Sequence, residues 1–172
     1  DKLAESPEKK ALLIAPTNPL LSQHFKDAKN FLNIPSNSII MINGGIHWKK
    51  RAELIKDATL ILATPQVIRN DVKRESINLL DFCLLVIDEA HHAAGKHAMA
   101  EVADIYLNHT KKGLLLGATA SPGSTDKSII NLTERLDIKN IFSMQRTNPL
   151  IKPYTSELES KFITLELPSK IE

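Results

Sequence analysis

The sequence predicts an α/β protein of three layers, a mostly parallel sheet with helices on both faces, and three observations predict it. Short apolar runs alternate with stretches whose apolar residues recur at helical spacing, and such alternation builds parallel sheets through crossover helices. Leu84-Leu85-Val86-Ile87 is a continuous rather than alternating apolar run, as a strand covered on both faces requires. Four of the runs are followed by small, hydroxyl-bearing or glycine residues, which suit the loops at the carboxyl edge of such a sheet.

In order, residues 11–15 read as a strand. Residues 18–32 read as a helix, with Leu20, Leu21, Phe25, Ala28, Phe31 and Leu32 on one face, broken by Pro35 and Asn37. Residues 38–42 are a strand, Asn43-Gly44-Gly45 a turn, and 48–58 a helix. A strand at 59–63 meets Pro65, which suits the first turn of a short helix. The central strand follows. Then come a helix over 96–108, a strand over 113–118, a helix over 124–136 after Pro122-Gly123, and a strand over 140–144. From Asn148 the pattern becomes extended, with Pro149, Pro153 and Pro168. A domain over 1–147 and an extended linker or strand over 148–172 are therefore expected.

Composition narrows the partners. The 172 residues, 42% hydrophobic and 24% charged, suffice for about one globular domain with a sizeable core. A net charge of +2 is compatible with nucleic acid but too small to mark a dedicated basic binder. No apolar stretch approaches membrane-spanning length, and residues 1–10 are polar without a signal-peptide core, so no membrane partner and a cytoplasmic location are expected. The single cysteine, Cys83, opens the central strand and reads as a buried small hydrophobe.

The chemistry gathers where the central run ends, at Asp88-Glu89-Ala90-His91-His92. Two adjacent carboxylates with no cation beside them in sequence repel each other, and a divalent metal or a cationic partner resolves this. Magnesium takes carboxylate oxygens, water and substrate phosphates, which suggests Asp88 on a Mg²⁺ shell and Glu89 orienting or activating an attacking water. The same residues suit a helix N-cap beside the positive end of a dipole, and local spacing leaves both readings open. His91, His92, His97 and Asp88 fit no ordinary zinc spacing. His47-Trp48-Lys49-Lys50-Arg51 is either a solvated helix face with a half-buried Trp or an aromatic-cation grip on nucleic acid.

The loops after the strands add a second regularity. Ala15-Pro16-Thr17, Asn43-Gly44-Gly45, Ala63-Thr64-Pro65-Gln66 and Ala118-Thr119-Ala120-Ser121-Pro122 all let a ligand backbone approach closely, and hydroxyls with helix N-terminal amides bind phosphates. Recurrence along one edge favours a long phosphate-bearing ligand.

These residues together resemble a family. Asp88-Glu89-Ala90-His91 resembles the DEAH form of the Walker B motif of superfamily 2 helicases, and Thr119-Ala120-Ser121 resembles their motif III. Ala15-Pro16-Thr17 resembles motif Ia and Ala63-Thr64-Pro65-Gln66 motif Ib, in the right order and spacing. Thr64-Pro65-Gln66 with Asn70-Asp71, residues 117–124, and the tail from Asn148-Pro149 through Lys152-Pro153-Tyr154 to Leu165-Glu166-Leu167-Pro168 are similar to the archaeal Hef and FANCM branch of fork-remodelling DNA helicases. Asn18, Asn43 and His92 stand where that branch often carries lysine, threonine and arginine.

The resemblance implies a RecA-like, P-loop NTPase-type motor domain using ATP and Mg²⁺. Asp88 would hold Mg²⁺ through water, and Glu89 would position the water that attacks the γ-phosphate. His91, with Thr119 and Ser121, would couple nucleotide state to movement against a second motor domain. Pro16, Thr17, Gln23, Asn43, Gly44, Thr64, Pro65 and Gln66 would line the nucleic-acid track, with DNA forks or branched DNA as the implied partner. Contacts there would go mostly to phosphates, making binding salt-sensitive.

No Gly-x-x-x-x-Gly-Lys-Ser/Thr loop occurs in the chain. In the family that loop precedes motif Ia. The chain is therefore expected to be a fragment of motor domain 1 that hydrolyses ATP very poorly alone, with the first P-loop strand missing and a gap or an exposed edge left in the sheet. Two function classes remain: an ATP-dependent helicase or translocase, of DNA or of RNA, and a non-catalytic nucleic-acid-binding module derived from one.

Overall fold

The computed structural model describes residues 2–95, 97–110, 113–121, 125–144, 148 and 149. Two compact units divide the chain, residues 1–139 and residues 140–172. The fold lies in the first, and most of the segment expected to be a linker or strand, 148–172, is outside the described residues.

Five parallel strands make one sheet: β1 (Lys10–Ile14), β2 (Ile39–Ile42), β3 (Leu60–Ala63), β4 (Phe82–Asp88) and β5 (Leu114–Ala118), in the order β2-β3-β1-β4-β5. Helices α1 (Lys2–Glu5), α2 (Asn18–Phe31), α3 (Trp48–Lys56), α4 (Pro65–Lys73), α5 (Ala98–His109) and α6 (Asp126–Arg135) surround it. The register carries Ile42, Ala63, Ile14, Ile87 and Gly117 across the sheet in one row. All five loops that follow the strands therefore open on one edge.

Alternation along the strands sorts the core into two layers. Leu12, Ile14, Ile61, Leu85 and Ile87 meet Ile55 of α3, Ile68 of α4, Val102 and Tyr106 of α5, and Leu132 of α6. On the other face, Ala11, Leu13, Leu60, Leu62 and Leu84 meet Leu20, Leu21, Phe25 and Ala28 of α2. The three-layer expectation holds, and the helix stripe read on α2 faces the sheet except at its end, where Phe31 is 82% exposed.

Close packing fixes two glycines. A Cβ on Gly113 would collide with the Tyr106 hydroxyl and the Thr110 methyl, and one on Gly117 would stand 3.2 Å from Ala90 Cβ. Tyr106 is fully buried, its hydroxyl donating to Leu114 O at 3.3 Å, and burial holds its phenol above the usual range. Burial likewise pushes the Cys83 thiol up, in keeping with a buried small side chain.

One expectation changes, one is decided between its two alternatives, and the N-terminus gains an element. Residues 140–144 form no strand: a strand exists only as half of a ladder, and no described segment pairs with them. The sheet has no gap, because β1 bonds both β3 and β4. The alternative, an exposed edge, is present at β5, where Leu114 and Leu116 are 50% and 54% exposed beside Leu84 and Val86. The polar N-terminus carries the short helix α1, whose Leu3 packs on the α2 side of the core. Among the described residues no helix is long and apolar enough to cross a membrane.

Candidate active site and nucleic-acid interface

Residues 84, 86 and 88 of β4 point to the face that α2 covers, so alternation alone delivers Asp88 towards α2. His24 meets it there: Nε2 lies 2.7 Å from Asp88 Oδ2, with the two side chains 30% and 21% exposed. Sequence reading did not select His24. Its one signal is a histidine inside the helix that follows β1, because β1 and β4 are neighbours in the sheet.

Glu89, the first residue after the strand, takes a left-handed conformation, φ 51° and ψ 49°, uncommon for a residue with a side chain. Such strain costs on the order of 1–3 kcal/mol and persists where surrounding contacts impose it. Here a 3₁₀ turn, Ala90–Ala93, follows at once, with Ala90 and Ala93 buried. Gly117 of β5 admits Ala90 against the sheet. The turn brings His91 Nδ1 to 2.8 Å from Thr119 Oγ1 and 3.2 Å from Glu89 Oε2. Thr119 Oγ1 also accepts the Ser121 N–H at 3.1 Å. Glu89, His91, Thr119 and Ser121 are thus one connected group joining the loops after β4 and β5, and the N-cap alternative for Asp88 and Glu89 applies only to a short 3₁₀ turn that Glu89 does not cap with its side chain.

Hard carboxylate oxygens at a strand end fit Mg²⁺, which commonly takes one or two carboxylates and completes its shell with water and phosphate oxygens. Asp88 and Glu89 supply that donor chemistry, with Asp88 Oδ2 oriented by His24. Among the described residues no three His, Cys, Asp or Glu side chains gather as a metal cage, so the three histidines and Asp88 form no zinc cluster.

The remaining selected residues occupy the loops along the same edge. Thr17 caps α2, its Oγ1 accepting the Leu20 N–H at 3.5 Å; Pro16 before it is partly buried, and Gln23 is exposed one residue before His24. Asn43 Oδ1 accepts the Gly45 N–H at 2.9 Å, and Gly44 is exposed with no heavy atom within 4 Å of where a Cβ would stand. Thr64 caps α4 without using its hydroxyl for the cap, Pro65 is buried in the first turn, and Gln66 is exposed. The loops after β2, β3 and β1 that carry these residues are neighbours in the sheet and, at about 4.8 Å per strand, lie within roughly 10 Å of one another. Trp48 is half-buried and Lys49 lies 5.5 Å from its ring centre, but Arg51 is buried and not part of a cationic surface.

Comparison with known proteins bears on the family and the fold. Residues 1–128 match the family model for DEAD/DEAH box helicases. A protein of Methanocaldococcus jannaschii, provisionally named an ATP-dependent RNA helicase, is 40% identical over 94% of this chain and 20% of its own length. The Fanconi anemia group M protein of Gallus gallus is 30% identical over 96% of the chain and 8% of its own length, and the ATP-dependent DNA helicase MPH1 of Saccharomyces cerevisiae is 32% identical over 95% and 16%. The chain thus spans a fifth or less of these three relatives. The solved helicase domain of Hef from Pyrococcus furiosus superposes with a TM-score of 0.83 at 34% identity, over 97% of this chain and 35% of that one. The chain belongs to the DEAD/DEAH box helicase family.

Proposed function

We propose that this chain is part of the first motor domain of an ATP-dependent DNA helicase or translocase acting on forked or branched DNA. The observation that carries it is the position of His91 Nδ1 between Glu89 Oε2 and Thr119 Oγ1, which ties the carboxylates at the end of the central strand to the next loop of the edge. In this reading Asp88 holds Mg²⁺ through water and Glu89 positions the water that attacks the γ-phosphate. Mg²⁺ would supply neutralisation of the charge that develops on the phosphate oxygens. A change at the carboxylates passes through His91 to Thr119 and Ser121, where it meets a second motor domain.

Pro16, Thr17, Gln23, Asn43, Gly44, Thr64, Pro65 and Gln66 line the track. Exposed amides, hydroxyls and small residues suit phosphate contacts, so binding depends strongly on salt and weakly on sequence. DNA is favoured by the name of the MPH1 relative, an ATP-dependent DNA helicase. RNA is the second reading, supported by the name of the Methanocaldococcus jannaschii relative.

The test is Mg²⁺-dependent ATPase activity of a protein carrying this segment together with a Gly-x-x-x-x-Gly-Lys-Ser/Thr loop and a second motor domain, with forked DNA or structured RNA added. Stimulation by forked DNA is expected, with little activity from the 172 residues alone. Stimulation by RNA only would select the second reading. No ATPase with either would favour a non-catalytic binding module.

A further inference from the structure

The most deeply buried charges of the described residues lie outside the carboxylate group. Arg51 of α3 and Asp71 of α4 have side chains 7% and 0% exposed and pair through both arms of the guanidinium: Nε donates to Asp71 Oδ2 at 2.6 Å, and Nη2 donates to Oδ1. Stability alone is a poor reason to keep such a pair, since well-packed apolar residues in its place are often neutral or stabilising. The third nitrogen is more informative. Nη1 donates to the carbonyl oxygens of Asn43, at 3.3 Å, and of Ile46. One guanidinium therefore grips both ends of the loop after β2 while it is anchored to α4, the helix that opens with Pro65 and Gln66.

The loop has little else to hold its shape. Asn43 Oδ1 accepts the Gly45 N–H and Asn43 O accepts the Ile46 N–H at 3.2 Å, while Gly44 faces open space. Two glycines in a row cost backbone entropy to order. With carbonyls 43 and 46 turned inward onto Arg51, the exposed face at Gly44 is left for an incoming phosphate.

We infer that Arg51 and Asp71 are positioning residues of the nucleic-acid track: the pair sets the conformation of residues 43–46 and their spacing from Thr64-Pro65-Gln66. The inference rests on the reading of those loops as a track for a nucleic-acid backbone. Lysine in place of Arg51 keeps a charge opposite Asp71 but lacks the planar fork, so it cannot hold the carboxylate and two carbonyls together.

The experiment is binding of a fluorescein-labelled single-stranded DNA oligonucleotide to the 172-residue chain by anisotropy, with thermal unfolding of each variant. Arg51→Lys and the double variant Arg51→Leu/Asp71→Leu are compared with Gln66→Glu, which places a negative charge on the proposed track. Arg51→Lys and the double variant are expected to bind about tenfold more weakly, the loss of one charge-assisted contact, and to speed amide hydrogen exchange at Gly45, while the double variant keeps its melting temperature. If Gln66→Glu weakens binding and both Arg51 variants bind within about twofold of the parent, the pair is structural only and the inference fails, with the track reading intact. If no variant weakens binding, the track reading fails and the inference with it. Should the double variant not fold, Arg51→Lys decides by the same comparison.

Discussion

His24 Nε2 and Asp88 Oδ2 lie 2.7 Å apart across 64 residues of sequence. The contact joins the middle of α2, the helix that Thr17 caps, to the carboxylate proposed to hold Mg²⁺. It also fixes which oxygen of Asp88 points away from α2.

Partners that orient a metal-binding carboxylate typically matter by about 10–100-fold in metal affinity or activity. His24→Ala is therefore expected to raise the Mn²⁺ concentration for half-saturation at least about tenfold in a protein carrying the phosphate loop. Electron paramagnetic resonance of Mn²⁺ measures this without turnover. Unchanged Mn²⁺ binding would leave the contact as packing.

Thr119→Val removes the hydroxyl that meets His91 Nδ1 and accepts the Ser121 N–H. The stability cost should be small, about 0.5–1.5 kcal/mol, for a partly exposed hydrogen bond. Strand separation in the longer motor protein should fall at least about tenfold while ATPase changes by less than about threefold. Equal loss of both activities would count against a coupling role.

Gly113 and Gly44 should respond oppositely to alanine. At 113 a Cβ overlaps Tyr106 and Thr110, and overpacking of this kind costs about 1–3 kcal/mol, visible as a lower melting temperature. At 44 there is open space, so Gly44→Ala should melt with the parent yet weaken binding of single-stranded DNA. Chemical denaturation and anisotropy together separate the two effects.

Burial raises the Tyr106 phenol above its ordinary value near 10, with the Cys83 thiolate a smaller cause in the same direction. The unfolded chain therefore releases that proton first as pH climbs. The stability contribution is complete below pH 10, shrinks above it and is lost as pH passes the folded value. Urea midpoints measured from pH 8 to 11 should begin to fall as the unfolded chain's Cys83 thiol ionises near 9 and fall further above pH 10, and Tyr106→Phe should flatten the part above pH 10 while losing the bond to Leu114 O. An equally steep fall in the variant would assign the decline elsewhere.

The sheet is legible in the sequence because each strand is a short apolar run between helix signals, and both core layers follow from alternation along those runs. The carboxylates, His91 and Thr119 are legible because each lies just beyond such a run. Three features escape for physical reasons. Residues 140–144 have strand composition, but pairing depends on a neighbouring edge that composition does not encode. His24 is one polar residue of an amphipathic helix, and only the adjacency of β1 and β4 puts it against Asp88. Arg51 reads as part of a cationic run with Lys49 and Lys50, yet Asp71, 20 residues away, draws it into the interior.

The most direct measurement is the steady-state ATPase rate, with forked DNA present, of the longer motor protein and its Glu89→Gln variant. Glutamine keeps the size of the side chain and removes its charge, so a fall of at least about 100-fold in kcat with DNA binding unchanged is expected if Glu89 positions the attacking water. A variant that hydrolyses ATP at the parent rate would contradict the assignment of the strand-end carboxylates as the catalytic centre.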